Sequence, residues 1–144
     1  EAVIIIAKME PSKRYIIIRQ FRPPTNSYLL EFPAGLVDKG ETRDQTAIRE
    51  LSEETGYVGE VQKISPRLYS SPGILSEAVS FAHIQVDENL AENQMPKAQN
   101  EPGEFITVFK KSVDEISEFF SQEISHGVKF DAKLYSYFLA QGVL

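Results

Sequence analysis

The chain contains no cysteine and no tryptophan in 144 residues. Without cysteine neither a disulfide framework nor a zinc–thiolate site can form, which is compatible with a reducing cytosol. Basic residues are also short: 15 Lys and Arg against 21 Asp and Glu leave a net charge of −6, with an isoelectric point near 5.0. Binding to a nucleic-acid backbone requires a basic stripe that this composition lacks, so no nucleic acid partner is expected. An anionic substrate would have to be met by a metal ion and local arginines. The longest apolar run, AVIIIA at 2–7, is far short of the ~20 residues that span a bilayer. With no signal-peptide pattern, no membrane partner is expected and the expected location is cytoplasmic.

Internal repeats and low-complexity segments are absent as well. At 42% hydrophobic the chain can bury a sizeable core, and no compositional break divides it, so residues 1–144 read as a single domain. Residues 3–7 and 15–21 (YIIIRQF) flank a Glu10-Pro11-Ser12-Lys13 turn and predict a hairpin. A strand is expected at 28–32. Another is expected at 57–64, with Gly59 at a bulge and residues 67–69 continuing beyond Pro66. Residues 70–73 form a loop, and 79–86 (VSFAHIQV) a core strand in which His83 reads as a packed or rim residue. Residues 87–102 show no period and read as a lid or binding loop that leads into a strand at 105–109. Ser112 and Glu115 form a capping box for a helix turning Val113, Ile116, Phe119 and Phe120 inward. His126 is a turn residue, and Asp131 caps a last helix carrying Leu134, Tyr135, Phe138 and Leu139. Strands before, between and after helices indicate an α/β fold with a mixed sheet flanked by helices.

The densest chemistry lies in residues 35–57, GLVDKGETRDQTAIRELSEETGY. Thr42 is a good N-cap and Gln45 can close a capping box, while Gly56 supplies the left-handed end of the helix. Ala47, Ile48 and Leu51 form the expected apolar stripe, with Arg49, Glu50, Glu53 and Glu54 around the rest. Carboxylates in a last turn oppose the helix dipole at about 0.3–1 kcal/mol each, and like charges four apart add about 0.2–0.5 kcal/mol. Arg49 can pair with Glu53 four residues on. That leaves Glu50 and Glu54 side by side, an oxygen-only cluster suited to a hard cation such as Mg²⁺. The plainer alternative is a solvated acidic face with one surface ion pair. Glu41 either favours the positive end of the helix or belongs to the site.

The full spacing decides between them: Gly35, five residues, Glu41, seven residues, Arg49-Glu50-Leu51, one residue, Glu53-Glu54, one residue, Gly56, then Tyr57. It resembles the Nudix box, with Tyr57 standing where an aliphatic residue is usual. RQFRPP at 19–24, EFPAGLVDKGET at 31–42, SSPG at 70–73 and GEF at 103–105, with Pro72 fifteen residues beyond Tyr57, make the chain similar to the ADP-ribose and ADP-sugar pyrophosphatase branch of the Nudix hydrolases. The resemblance implies an α/β/α Nudix sandwich. It implies Mg²⁺-dependent hydrolysis, with Mn²⁺ as the alternative ion, of ADP-ribose or a related ADP-sugar to AMP and a sugar phosphate. Glu50, Glu54 and the Ala34 carbonyl are then metal ligands. Glu104 is general base or a further metal contact, Glu53 and Arg49 are catalytic, and Arg22 and Leu36 bind substrate. The rival readings are a Nudix hydrolase for another nucleoside diphosphate derivative, such as an oxidised nucleotide, and a Nudix-fold binding module without activity. Intact Glu50, Glu53 and Glu54 count against the module.

Members of that branch resemble one another in an additional N-terminal β-rich segment that pairs two subunits and stacks the adenine. The resemblance places the start of this sequence at the following strand. The resemblance therefore implies a homodimer when the segment is present, and poor adenine recognition by the 144 residues alone. The first strand is expected to have an uncovered edge.

Overall fold

A computed structural model describes residues 1–100, 102–103 and 105–144. The order is β1 (Ala2–Glu10), β2 (Tyr15–Arg22), β3 (Ser27–Glu31), β4 (Ala34–Leu36), α1 (Arg43–Thr55), β5 (Glu60–Ile64), β6 (Leu68–Tyr69), β7 (Ala78–Asp87), α2 (Ala91–Gln94), β8 (Ile106–Lys111), α3 (Val113–Ser125), β9 (Lys129–Phe130) and α4 (Ala132–Ala140). The strands form one mixed sheet along the path β5-β7-β1-β2-β3-β9, with β4 on β1, β6 on β7 and β8 on β2.

The alternation of β1 sets the layers. Val3, Ile5, Ala7 and Met9 point to one face, where they pack with Ala47 and Leu51 of α1. Ile4 and Ile6 point to the other, against Ile116, Phe119 and Phe120 of α3 and Leu134 and Phe138 of α4. Successive strand residues alternate faces, so a strand apolar at every position is one buried on both. The result is the expected α/β/α sandwich.

The expected uncovered edge of β1 is corrected by the pairing. β1 runs parallel to β7 from Ala2↔Val79 to Glu10↔Asp87. On its other side it meets β4 at Ala2↔Leu36 and β2 at Lys8↔Tyr15. Its apolar character reflects a central position. The bulge expected at Gly59 lies instead between Val61 and Lys63. Gly59 serves a close approach, since a Cβ there would stand 2.5 Å from the Gln85 carbonyl oxygen and 2.6 Å from Ile84 Cγ2. Residues 87–102 contain the short α2, with Asn93 buried.

Helix faces are narrower than their apolar residues suggest. On α1, Ala47 and Leu51 are buried but Ile48 is 42% exposed, while Thr46, Glu54 and Thr55 complete the buried side. On α3, Ile116, Phe119 and Phe120 face the core while Val113 is exposed; on α4, Leu134 and Phe138 are buried and Tyr135 and Leu139 are exposed. Each helix meets the sheet along a single stripe, and a residue about 100° off it reaches solvent. Among the described residues no helix is long and apolar enough to cross a membrane.

We predict that Leu51→Ala costs about 2–5 kcal/mol through the cavity it leaves, whereas Ile48→Ala stays within about 0.5 kcal/mol. Equal losses for the two in denaturant titrations would put Ile48 back in the core.

Candidate functional site

Both bonds of the capping box form at the start of α1: Gln45 N–H donates to Thr42 Oγ1 at 3.3 Å and Thr42 N–H to Gln45 Oε1 at 2.9 Å. The helix ends where Gly56, at φ 76°, donates its N–H to the Ser52 carbonyl. Pairing of β4 with β1 holds Ala34, Gly35 and Leu36 in front of the helix. A Cβ on Gly35 would fall 1.8 Å from the Glu50 carboxyl group. Only glycine therefore lets this carboxylate lie against the β4 backbone. One turn on, Glu54 is 6% exposed and accepts the Ala34 N–H at 3.1 Å.

Arg49 engages more than the one acid expected of it. Its Nε and Nη2 donate to the two Glu41 oxygens, each at 2.9 Å. Nη1 donates to Glu50 at 2.8 Å and Glu53 at 2.9 Å, and Nη2 also reaches the Leu36 carbonyl at 3.1 Å. The Arg49 hydrogen bonds, joined by one from the Thr46 hydroxyl, hold the Glu41 carboxyl down to about 2. Glu41 chiefly, then Glu50 and Glu53, raise the guanidinium pKa further. Glu41 thus belongs to the site. Glu50 also bonds Arg49 and Glu54 the β4 amide, and both line the cavity in front of β4. Among the described residues no group of three or more acids or histidines is gathered to hold an ion. A planar guanidinium with five donors offsets several carboxylates at once, which an i,i+4 pair does not.

Arg22 is held by the side chain of Glu31 in a two-point pair, Nε to Oε1 and Nη2 to Oε2, both 2.8 Å. Arg22 lines a cavity of about 380 Å³ with Ala34, Leu36, Glu50, Glu53 and Glu54. Arg22, Ala34, Gly35 and Leu36 also border a second cavity of about 430 Å³, which extends to Glu77 and Lys133. Leu36 is exposed at the junction. The structure therefore brings together Arg22, Ala34, Leu36, Arg49, Glu50, Glu53 and Glu54, whereas Glu104 lies outside the described residues. Glu31 carries only a weak signal in the sequence. That signal is an acid between the apolar Leu30 and Phe32 in a strand, where a buried carboxylate needs a partner. His83 is half-buried away from this site, its pKa lowered by burial and then by Lys63, and His126 ends α3.

The carboxylates of Glu50, Glu53 and Glu54 are hard oxygen donors, as is the Ala34 carbonyl, and these residues line one cavity. This donor set fits an Mg²⁺-class ion.

A family model for the NUDIX domain matches residues 1–137. An ADP-ribose pyrophosphatase of Saccharomyces cerevisiae is 36% identical, over 99% of this chain and 62% of that protein. An ADP-sugar pyrophosphatase of Mus musculus is 35% identical, over 97% and 66%. The chain thus spans a little under two thirds of the length of these relatives. The crystal structure of an ADP compounds hydrolase superposes with a TM-score of 0.60 at 22% identity, over 81% of this chain and 60% of that one, a likeness of fold.

The Glu41–Arg49 pair makes a pH prediction. The folded pKa of Glu41, about 2, is below its ordinary 4.5, so its contribution is complete above about pH 4.5 and is lost as pH falls towards 2. The wild-type melting temperature should drop through that window, and Glu41→Gln should be lower at pH 7 with a shallower drop. Parallel curves for the two proteins would refute this linkage.

Proposed function

Since the chain belongs to the Nudix family, we propose that it hydrolyses the pyrophosphate bond of ADP-ribose or a related ADP-sugar, giving AMP and a sugar phosphate. The observation that carries this reading is the acid face of α1 set against β4 across Gly35, with Arg22 on the same cavity.

Cleaving a pyrophosphate requires in-line placement of water and neutralisation of charge on the phosphate oxygens. Glu50, Glu54 and the Ala34 carbonyl would hold Mg²⁺, with Mn²⁺ as the alternative, and Glu53 would contact the ion or its waters. When bound, such an ion supplies charge neutralisation on the substrate. Arg49 orients Glu50 and Glu53, and its own bonds to Glu41 fix its plane. Arg22 meets phosphate oxygens, preorganised by its pair with Glu31, and Leu36 packs on the substrate at the junction of the two cavities. Glu104 acts as general base or as a further metal contact. A homodimer is expected where the N-terminal β-rich segment of the family is present.

The test is turnover of ADP-ribose with and without Mg²⁺, with AMP and ribose 5-phosphate identified chromatographically. A panel of other nucleoside diphosphate sugars and oxidised nucleotides should be run beside it. Hydrolysis of another compound with none of ADP-ribose would sink the assignment. For Glu54→Gln the predicted loss of turnover exceeds the roughly 10–100-fold cost of losing an outer-shell partner. The fold should be retained, because a glutamine oxygen can still accept the Ala34 N–H. Normal Mg²⁺-dependent turnover in that variant would remove Glu54 from the ligand set.

A further inference from the structure

α3 and α4 pack on Ile4, Ile6, Ile17 and Leu30 of one sheet face, and β7 and β5 continue that face beyond β1. Paired residues on neighbouring strands share a face, so the register Ile4↔Phe81, Ile6↔His83 and Lys63↔His83 puts Phe81, His83 and Lys63 on the α4 side. There they bound a cavity of about 590 Å³, whose helical wall is Ala132, Lys133, Ser136 and Tyr137. These four follow the spacing of one helix face. The Tyr137 ring stands edge-on to Tyr15, Phe32 and Phe138, with centroids at 6.0, 5.4 and 5.2 Å, and His83 flanks it at 6.4 Å. Three buried rings thus fix this aromatic wall before any ligand arrives. α1 packs on the opposite sheet face, and no described residue of this cavity also lines the one beside Glu50 and Glu54. Lys133 alone is shared with the neighbouring cavity of about 430 Å³.

The charge of this lining runs against that of the chain. The protein carries −6, yet the described residues around the cavity include two lysines and no carboxylate. Lys133 donates to Asp131 at 2.7 Å. Lys63 is exposed and forms no ion pair with any described residue. His83, across the strand pair from Lys63, is neutral at pH 7 because burial and then Lys63 lower its pKa, so its ring adds one donor and one acceptor. Aromatic walls take a planar ring, an unpaired ammonium takes a phosphate as a point charge, and the volume falls within the roughly 300–1,000 Å³ of small-molecule sites. We propose that this cavity binds a nucleoside monophosphate at a site separate from the acid face of α1, with the base against Tyr137 and Phe81 and the phosphate at Lys63. A sugar phosphate would leave the aromatic walls unused and a nucleoside would leave the ammonium unused. A di- or triphosphate would bring more charge than one unpaired lysine offsets. The site goes beyond the proposed hydrolysis and does not depend on it.

The test is titration calorimetry with AMP in the absence of divalent metal, together with amide chemical shifts, and with adenosine and ribose 5-phosphate as the two halves of the ligand. AMP should saturate and shift the amides of residues 63–65, 81–83 and 132–137. Each half should bind at least about tenfold more weakly. Two variants locate the site: Lys63→Glu reverses the unpaired charge at an exposed position, and Ser136→Trp narrows the cavity from an exposed position of α4. Each should weaken AMP by about tenfold or more with the melting temperature at its parental value. Shifts confined to residues 34–36 and 50–54 would put AMP on the acid face alone and overturn the proposal. So would the absence of saturation, parental AMP affinity in either variant, or either half binding as tightly as AMP. If Ser136→Trp does not fold, Lys63→Glu decides on the same criterion. Neither metal nor hydrolysis enters the measurement, so a chain that fails to turn over ADP-ribose loses the proposed function and leaves this result intact.

Discussion

One guanidinium keeps the acidic end of α1 together. Arg49 donates to Glu41, Glu50 and Glu53 at 2.8–2.9 Å, where bare carboxylates would repel one another and oppose the helix dipole. Arg49 also ties the helix to the β4 side through the Leu36 carbonyl. Four elements of the site are thereby referred to one rigid plane: the turn before the helix, two turns of the helix and the strand in front of it. Lysine could balance charge but could not fix those directions, because an ammonium group lacks the planar fork.

This arrangement also bears on what an arriving cation must do. Glu50 and Glu54 are bound to protein donors, Arg49 and the Ala34 amide respectively, so a cation using these oxygens competes with hydrogen bonds already made. Each carboxylate has two oxygens and several lone pairs, so donor and ion can share it. The neighbouring Arg22–Glu31 pair follows the same design on the substrate side, with a buried acid aiming an arginine at the cavity.

Local signals are legible in the sequence and distant ones are not. The caps at Thr42, Ser112 and Asp131, the Gly56 terminus and the hairpin at residue 11 depend on neighbours within four residues, and each formed as expected. The acid spacing likewise lies on one helix, so its members could be named before their geometry was known. Ile48 misled because apolar periodicity gives a stripe but not its centre, which the sheet chooses. Glu41 and Glu31 were underread because their partners, Arg49 and Arg22, lie eight and nine residues away. Asn93 was illegible for the same reason, with Val58 thirty-five residues off. Gly59 looked like a bulge, whereas its reason is the approach of another strand.

The two-faced β1 has a cost in register. Where one face of a strand is wet, a one-residue slip is punished at every position; here Val3 to Ala7 would exchange one dry layer for the other with little penalty. Lys8 breaks that degeneracy. It is the only charged residue between Ala2 and Met9, and its ammonium lies 5.5 Å from the centre of the Tyr15 ring, on the face away from α1. A slip would drive the ammonium into the layer of Ala7 and Met9, where an unpaired charge costs several kcal/mol. Lys8 thus acts as an indexing pin, selecting which of two equally apolar alignments the central strand takes up as the sheet assembles.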